Sequence, residues 1–264
     1  MEIKSFTNND LKMKYMRFGN PDGRTFVVLP GLSLRSVLLA APAIEGAYKA
    51  FTDDYDIYLF DRKDDIEGRY TVEEMADDTA AAMRELGIRD AVVMGFSQGG
   101  MMAQVIAVKN KDLVGKLVLG STTPRLRQKE TDMILGWASL AKEGDLRKLV
   151  DNFGQNVYSD GFYSKYKDMI YTANKDATEE DISRFIALSE GTEGFDIYGR
   201  IGEIEAKTLV LADRKDKIIS AEAYDDFDKI PVVTKYLYDE FGHAVYDEAP
   251  DFFDRVIRFM NSDK

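Results

Sequence analysis

Short runs of apolar, often β-branched residues recur along the chain, and longer stretches with helical spacing separate them. The runs of this type are TFVVLPG (25–31), YDIYLFD (55–61), DAVVMG (90–95), KLVLGS (116–121) and TLVLAD (208–213). Strands that are apolar on both faces and alternate with helices are typical of a parallel sheet covered on both sides. The pattern therefore predicts an α/β fold with a mostly parallel central sheet and helices on both faces.

Residues typical of helix ends and turns occur between the predicted elements and support this prediction. In the helical stretch 71–87, Thr71 and Glu74 form a capping-box pattern, and Gly87 stands where the helix should end. A loosely alternating run at 11–19 precedes a turn signal rich in Gly, Asn and Pro, and predicts a further strand. The remaining predicted elements are the helix that follows residue 97, a helix near 220–229, a strand at 234–240 and a C-terminal helix from about Ala249.

The segment 122–205 departs from the pattern because it holds no run of the strand type. It reads as several helices, and it is rich in aromatic residues: Trp137, Phe153, Tyr158, Phe162, Tyr163, Tyr166, Tyr171, Phe185, Phe195 and Tyr198. We interpret it as a helical cap inserted into one core domain, which comprises residues 1–121 and 206–264. The aromatic residues predict an apolar pocket, although many of them would also serve as the core of the cap itself.

Composition narrows the classes of function. The 264 residues carry a net charge of −12, which favours solubility and disfavours binding to nucleic acid or anionic membranes. No cysteine and a single histidine exclude disulfides and thiolate nucleophiles, and make a zinc site improbable. We expect no metal and no cofactor. The lack of a signal-peptide pattern or a membrane-length apolar run predicts a cytoplasmic protein. The sequence offers no argument about oligomeric state.

A single serine stands between two glycines where a predicted strand gives way to a helix. Gly95-Phe96-Ser97-Gln98-Gly99 fits the Gly-x-Ser-x-Gly turn, which is so tight that only small residues fit two positions on either side of the serine. The turn exposes the hydroxyl at a helix N-terminus, where backbone N–H groups favour developing negative charge. The alternative is a glycine-rich turn that serves packing alone.

A serine nucleophile needs a base and a carboxylate that orients the base. His243 is the sole histidine, and it lies in a loop after a predicted strand, where open α/β sheets place their sites. The loop after the strand 208–213 offers Asp213, at the strand edge, and Asp216, which has more freedom to reach a neighbouring loop.

The motifs GFSQGG, LVLADRKDKIIS and FGHAVYDEAPDFFDRVIRFM, after an LVLPG-like strand end, resemble the α/β-hydrolase superfamily, in particular its lidded members. The resemblance covers nearly the whole chain and implies a Ser97–Asp216–His243 triad, with Asp213 where the family often has glycine. It also implies an oxyanion hole formed by the backbone N–H groups of Leu32 and Gln98. Pro30-Gly31 replaces the family's frequent His-Gly, and the backbone donor should survive that change.

The triad predicts hydrolysis of a small carboxylic ester through an acyl-enzyme, with a small molecule that carries an ester-like carbonyl as substrate. Alternatives on the same triad are C–C bond hydrolysis, lactone opening, amide hydrolysis and a cofactor-free lyase step, or a receptor of low turnover. Proposed contacts to the substrate are Ser33, Arg35 and Trp137. Arg62 and Lys63 in the next loop are two further candidates for contacts, and the alternative is that they face solvent.

Overall fold

A computed structural model describes residues 2–8 and 11–262. Within them, eight strands form one sheet in the order β1-β2-β4-β3-β5-β6-β7-β8. The first two strands run antiparallel to their neighbours, and all the other pairs are parallel. The strands are β1 Glu2–Asn8, β2 Leu11–Gly19, β3 Arg24–Leu29, β4 Tyr55–Lys63, β5 Ala91–Phe96, β6 Val114–Gly120, β7 Lys207–Asp213 and β8 Val233–Tyr238.

Helices follow most of the parallel strands. The α-helices are α1 Ala41–Ala47, α2 Val72–Glu85, α3 Gln98–Lys109, α4 Gln128–Glu143, α5 Leu146–Val157, α6 Asp160–Asn174, α7 Glu179–Glu190, α8 Val245–Glu248 and α9 Phe252–Asn261. Short 3-10 helices span Val37–Ala40, Lys49–Phe51, Lys111–Leu113, Ile201–Glu203 and Ala221–Lys229. The last of these is where the sequence predicts a helix near 220–229. The predicted capping box is present at α2, where Thr71 and Glu74 bond reciprocally.

Helices cover both faces of the sheet, as the sequence predicts. Because side chains alternate along a strand, β3 directs Val27 and Leu29 to one buried cluster and Phe26 and Val28 to the other. The first cluster includes residues of α2 and α3, and the second includes residues of α1 and α9. The fold is therefore α/β with a mostly parallel sheet. Among the described residues, no helix is long and apolar enough to cross a bilayer.

The α-helices α4 to α7 lie between β6 and β7 in the chain, and we call them the inserted helices. Aromatic residues form much of their common core. The ring centroids of Trp137 and Phe153 lie 4.7 Å apart, and those of Phe153 and Phe185 lie 6.0 Å apart. These rings bury large apolar areas, which holds the inserted helices together. The division of the chain into a core domain and a cap at 122–205 stays a prediction.

Candidate active site

Ser97 occupies the turn between β5 and α3 in a strained conformation. Its φ of 50° and ψ of −119° are angles that residues other than glycine rarely adopt. The Thr122 hydroxyl donates to the Ser97 carbonyl oxygen at 2.8 Å and helps to hold the turn. Backbone strain of this kind persists only where the surroundings enforce it, and it is concentrated at functional sites.

The two glycines of the motif are required by close backbone contacts. A Cβ atom at Gly95 would lie 2.3 Å from the Gly99 carbonyl oxygen. A Cβ atom at Gly99 would lie 2.1 Å from the carbonyl oxygen of Leu29, at the end of β3. Since real Cβ atoms do not approach so closely, neither position accepts another residue without a shift of the backbone. The turn and the end of β3 are therefore packed directly against each other.

His243 and Asp216 form a buried pair beside this turn. The Nδ1 atom of His243 lies 2.7 Å from Oδ2 of Asp216, and His243 is 5% exposed. A carboxylate at this distance holds the proton on Nδ1 and leaves Nε2 free to accept one.

Three further donors fix the Asp216 carboxylate. Its Oδ1 atom accepts the backbone N–H groups of Ile218 and Ile219 at 2.8 and 3.0 Å, and Oδ2 accepts the Tyr224 hydroxyl at 3.0 Å. Burial, together with the negative charge of Asp216, raises the pKa of Tyr224 well above its usual value, so the hydroxyl stays protonated.

Asp213 has a different set of partners. Its Oδ1 atom accepts the N–H of Lys215 at 2.6 Å, and its Oδ2 atom accepts those of Glu240 and Phe241 at 3.0 and 2.7 Å. The carboxylate therefore joins the loop after β7 to the loop after β8, which carries His243. Of the two aspartates that the sequence offers, only Asp216 bonds to the imidazole.

Ser97 and His243 line one cavity of about 200 Å³ between the carboxyl edge of the sheet and the inserted helices. Its walls are mainly apolar, and they include Leu32, Met101, Ile134, Trp137, Phe153 and Phe185. No Asp, Glu, Lys or Arg side chain is among the described residues that line it. The cavity is smaller than the 300–1,000 Å³ that is usual for ligand pockets. It suits a small, uncharged molecule.

Leu32 and Gln98, the proposed oxyanion donors, both line this cavity. A Cβ atom at Gly31, just before Leu32, would lie 3.3 Å from the Cβ atom of Ser97, so the two backbone segments are neighbours. Gln98 is the first residue of α3, and its N–H therefore has no acceptor within the helix. The Gln98 N–H group is therefore available to donate a hydrogen bond to a ligand beside Ser97.

Two of the three proposed substrate contacts line the cavity, and the third does not. Trp137 and Ser33 line the cavity, but the Ser33 hydroxyl already donates to the Arg35 carbonyl oxygen at 2.9 Å. Arg35 lies outside the cavity lining. Its Nη1 atom donates to the carbonyl oxygen of Ala173 at 2.9 Å, and its Nε atom lies 3.7 Å from Asp181. Arg35 thus connects the loop after β3 to α6 and α7.

Arg62 and Lys63 also lie outside the lining. Strand β4 extends two residues beyond the predicted run, so Arg62 is part of the strand and is only 3% exposed. The Lys63 ammonium group lies 4.2 Å from the centroid of the Tyr70 ring. The sequence gives no direct sign that Arg62 is buried, because its neighbours at 63–65 are all charged.

Glu248 is a residue of the site region to which the sequence analysis gives no role of its own. Its Oε1 atom accepts the N–H of Gly242, which precedes His243, and the N–H of Ser159, each at 3.0 Å. The Ser159 hydroxyl donates to Oε2 of the same carboxylate. Glu248 therefore joins the histidine loop to the α5–α6 junction. Its presence five residues after the histidine is the sequence signal for this contact.

With this geometry established, comparison with known proteins gives the family. A family model for the alpha/beta hydrolase fold matches residues 25–250. The chain belongs to this family. The predicted resemblance and the predicted fold class are both confirmed by this match and by the sheet described above.

Individual relatives are distant and differ in what their names report. The uncharacterized hydrolase YugF of Bacillus subtilis is 22% identical, and the alignment covers 97% of this chain and 96% of YugF. The 3-oxoadipate enol-lactonase 2 of Acinetobacter baylyi is 18% identical over 81% of this chain and 79% of its own. An alpha/beta hydrolase from a Medee basin deep-sea metagenome library, MGS-M2, superposes with a TM-score of 0.89 at 20% identity, over 99% and 98% of the two chains. At this identity the structural likeness shows the fold alone.

Proposed function

We propose that the protein is a serine hydrolase that acts on small, uncharged carboxylic esters through an acyl-enzyme. The observation that carries the proposal is that Ser97 and the Asp216-bound His243 both line one mainly apolar cavity. In this mechanism Nε2 of His243 takes the hydroxyl proton as Ser97 attacks the ester carbonyl carbon. The backbone N–H groups of Leu32 and Gln98 stabilise the oxyanion.

The remaining steps use the same groups. The imidazolium of His243 gives its proton to the departing alkoxide, and the carboxylate of Asp216 stabilises the imidazolium while it exists. The neutral imidazole then takes a proton from water as the water attacks the acyl-enzyme, and it returns this proton to the Ser97 oxygen when the carboxylic acid is released. The inserted helices, as the proposed cap over this site, exclude bulk water and supply the apolar wall around the acyl group.

Covalent labelling tests this assignment directly. We expect a fluorophosphonate probe to phosphonylate the native protein at one position, and peptide mass spectrometry should locate the adduct on Ser97. The heat-unfolded protein should remain unlabelled, because its serine lacks a base and an oxyanion hole. Absence of an adduct on the native protein, or an adduct on another serine, would contradict the proposed nucleophile.

A comparison of a neutral and a charged acyl group tests whether the acyl group binds in the apolar cavity. We expect p-nitrophenyl butyrate to be hydrolysed with a kcat/KM roughly 100-fold higher than that of p-nitrophenyl hemisuccinate, since burial of an unpaired carboxylate is costly. The methyl ester of the hemisuccinate controls for length and should recover much of the loss. Equal values for the charged and the neutral substrates would mean that the acyl group lies outside the apolar cavity.

A neutral lactone is the second candidate substrate. A lactone is an ester closed into a ring, so the same residues would open it through the same acyl-enzyme. The Acinetobacter baylyi relative is named as an enol-lactonase, which supports lactone opening; other relatives have names that fit C–C bond and carbamate hydrolysis, so the names alone do not rank the alternatives. Parallel assays of a small lactone and the open-chain ester of the same acid would rank the two. Tight binding of either without turnover would favour a receptor.

A further inference from the structure

Arg62 connects the two backbone segments that carry the proposed oxyanion donors. Its Nη2 atom donates to the Pro30 carbonyl oxygen at 2.8 Å and to the Gln98 side-chain oxygen at 3.1 Å. The Pro30 carbonyl belongs to the peptide group that leads into Gly31, directly before Leu32. A single guanidinium nitrogen therefore bonds both to the loop after β3 and to the first residue of α3.

The Gln98 side chain is held at both ends. Its carbonyl oxygen accepts from Arg62, and its amide nitrogen donates to the Leu188 carbonyl oxygen in α7 at 2.8 Å. Gln98 is 2% exposed, so these bonds are formed away from water. A buried side chain with both ends bonded restricts the orientation of its own backbone, including the N–H group that is proposed as an oxyanion donor.

The guanidinium itself is buried and charged. Burial lowers the pKa of Arg62 to about 10, so it remains protonated at neutral pH. Asp61, the preceding residue, is also buried, and its carboxylate pairs with Arg184 of α7 and accepts the Ser36 hydroxyl at 2.5 Å. Among the described residues, the Nε atom of Arg62 has no hydrogen-bond partner. A buried ion of this kind is expensive to keep, and replacement of such groups by apolar residues is often neutral or stabilising.

We propose that Arg62 is a positioning residue for the oxyanion hole. By its shared contact it sets the separation and orientation of the Leu32 and Gln98 backbone N–H groups, and it adds a positive charge behind them. This inference rests on the proposed function, since the oxyanion hole belongs to that mechanism. Arg62 does not line the cavity and so does not bind the substrate itself.

Two substitutions separate the geometry from the charge. Arg62→Met removes the hydrogen bonds and the positive charge. Arg62→Lys keeps the charge, but its side chain is shorter and lacks the planar guanidinium group. Arg17→Met is the matched control. Arg17 bonds the buried Asp56 near the opposite end of β4, at 2.9 and 2.8 Å, so its loss also leaves a buried group without its partner.

The readout compares two inhibitors with the same alkyl chain. A trifluoromethyl ketone adds to Ser97 and places an oxyanion in the hole, whereas the methyl ketone stays planar and reports ground-state binding alone. For Arg62→Met we expect kcat/KM and trifluoromethyl ketone affinity to fall together by roughly 100-fold, and for Arg62→Lys by roughly 10-fold. The affinity for the methyl ketone should stay within about 2-fold of the wild-type value, because the substitution weakens binding of the transition state alone. Arg17→Met should leave all three values unchanged.

The inference is overturned if Arg62→Met keeps its trifluoromethyl ketone affinity, or if both ketones weaken equally, which would indicate general loosening of the cavity. If Arg62→Met does not fold, Gln98→Met breaks the same link from its other end and should show the same selective loss at smaller size. A wild-type protein that neither hydrolyses the ester nor binds the trifluoromethyl ketone would instead defeat the proposed function.

Discussion

Replacement of Ser97 by Ala is expected to lower kcat/KM for p-nitrophenyl butyrate by roughly 10⁶-fold, to the level that binding and the oxyanion hole alone provide. His243→Ala should cost about as much, and the double substitution should add little, because nucleophile and base act as one unit. The imidazole Nε2 has no useful role once the hydroxyl is absent. Steady-state kinetics on the three variants, with wild type beside them, measures this directly.

Ser139→Ala is the matched control. Ser139 is exposed on α4, and its hydroxyl donates to the Leu135 carbonyl oxygen of the same helix. We expect wild-type kinetics from it. If Ser97→Ala retained more than about 1% of the activity, the acyl-enzyme mechanism would be wrong, because loss of the nucleophile lowers the rate far more than this. Direct attack by an activated water would then explain the hydrolysis.

The parallel strands β3 to β7 were predictable because they are apolar on both faces over most of their length. Burial of β5 at every position from Ala91 to Phe96 leaves a continuous apolar run in the sequence. Strand β1 lacks such a signal, because Phe6 is its one buried residue and Ile3 is 51% exposed. Its pairing with β2 rests on backbone hydrogen bonds, which leave no trace in the side-chain pattern.

The candidate residues Ser97 and His243 could be proposed from the sequence for a similar reason, because local motifs mark the turns that carry them. Gly95 and Gly99 are required by contacts within the turn, and those contacts are local in sequence or lie at the adjacent strand end. Arg62 could not be assigned in this way. Its partners, Pro30 and Gln98, are 32 and 36 residues distant in the chain, and only the folded sheet brings them together.

The choice between Asp213 and Asp216 shows where the sequence leaves a question that an experiment can decide. Both side chains accept backbone N–H groups from the residues that follow them, so both fit the local turn chemistry. They differ in their distant partners. Asp216 reaches the imidazole, and Asp213 reaches the backbone of Glu240 and Phe241.

Asp216→Asn is therefore expected to lower kcat by about 10⁴-fold with little loss of stability. The amide can donate to Nδ1 of His243, which moves the ring proton to Nε2 and removes the base for Ser97. Asp213→Asn should instead keep kcat within about 10-fold and cost about 1–3 kcal/mol, because one amide oxygen cannot serve the three N–H groups that the carboxylate accepts. Kinetics and urea unfolding of the two variants measure both effects. The reverse pattern would assign the orienting carboxylate to Asp213, and would require the loops after β7 and β8 to rearrange during catalysis.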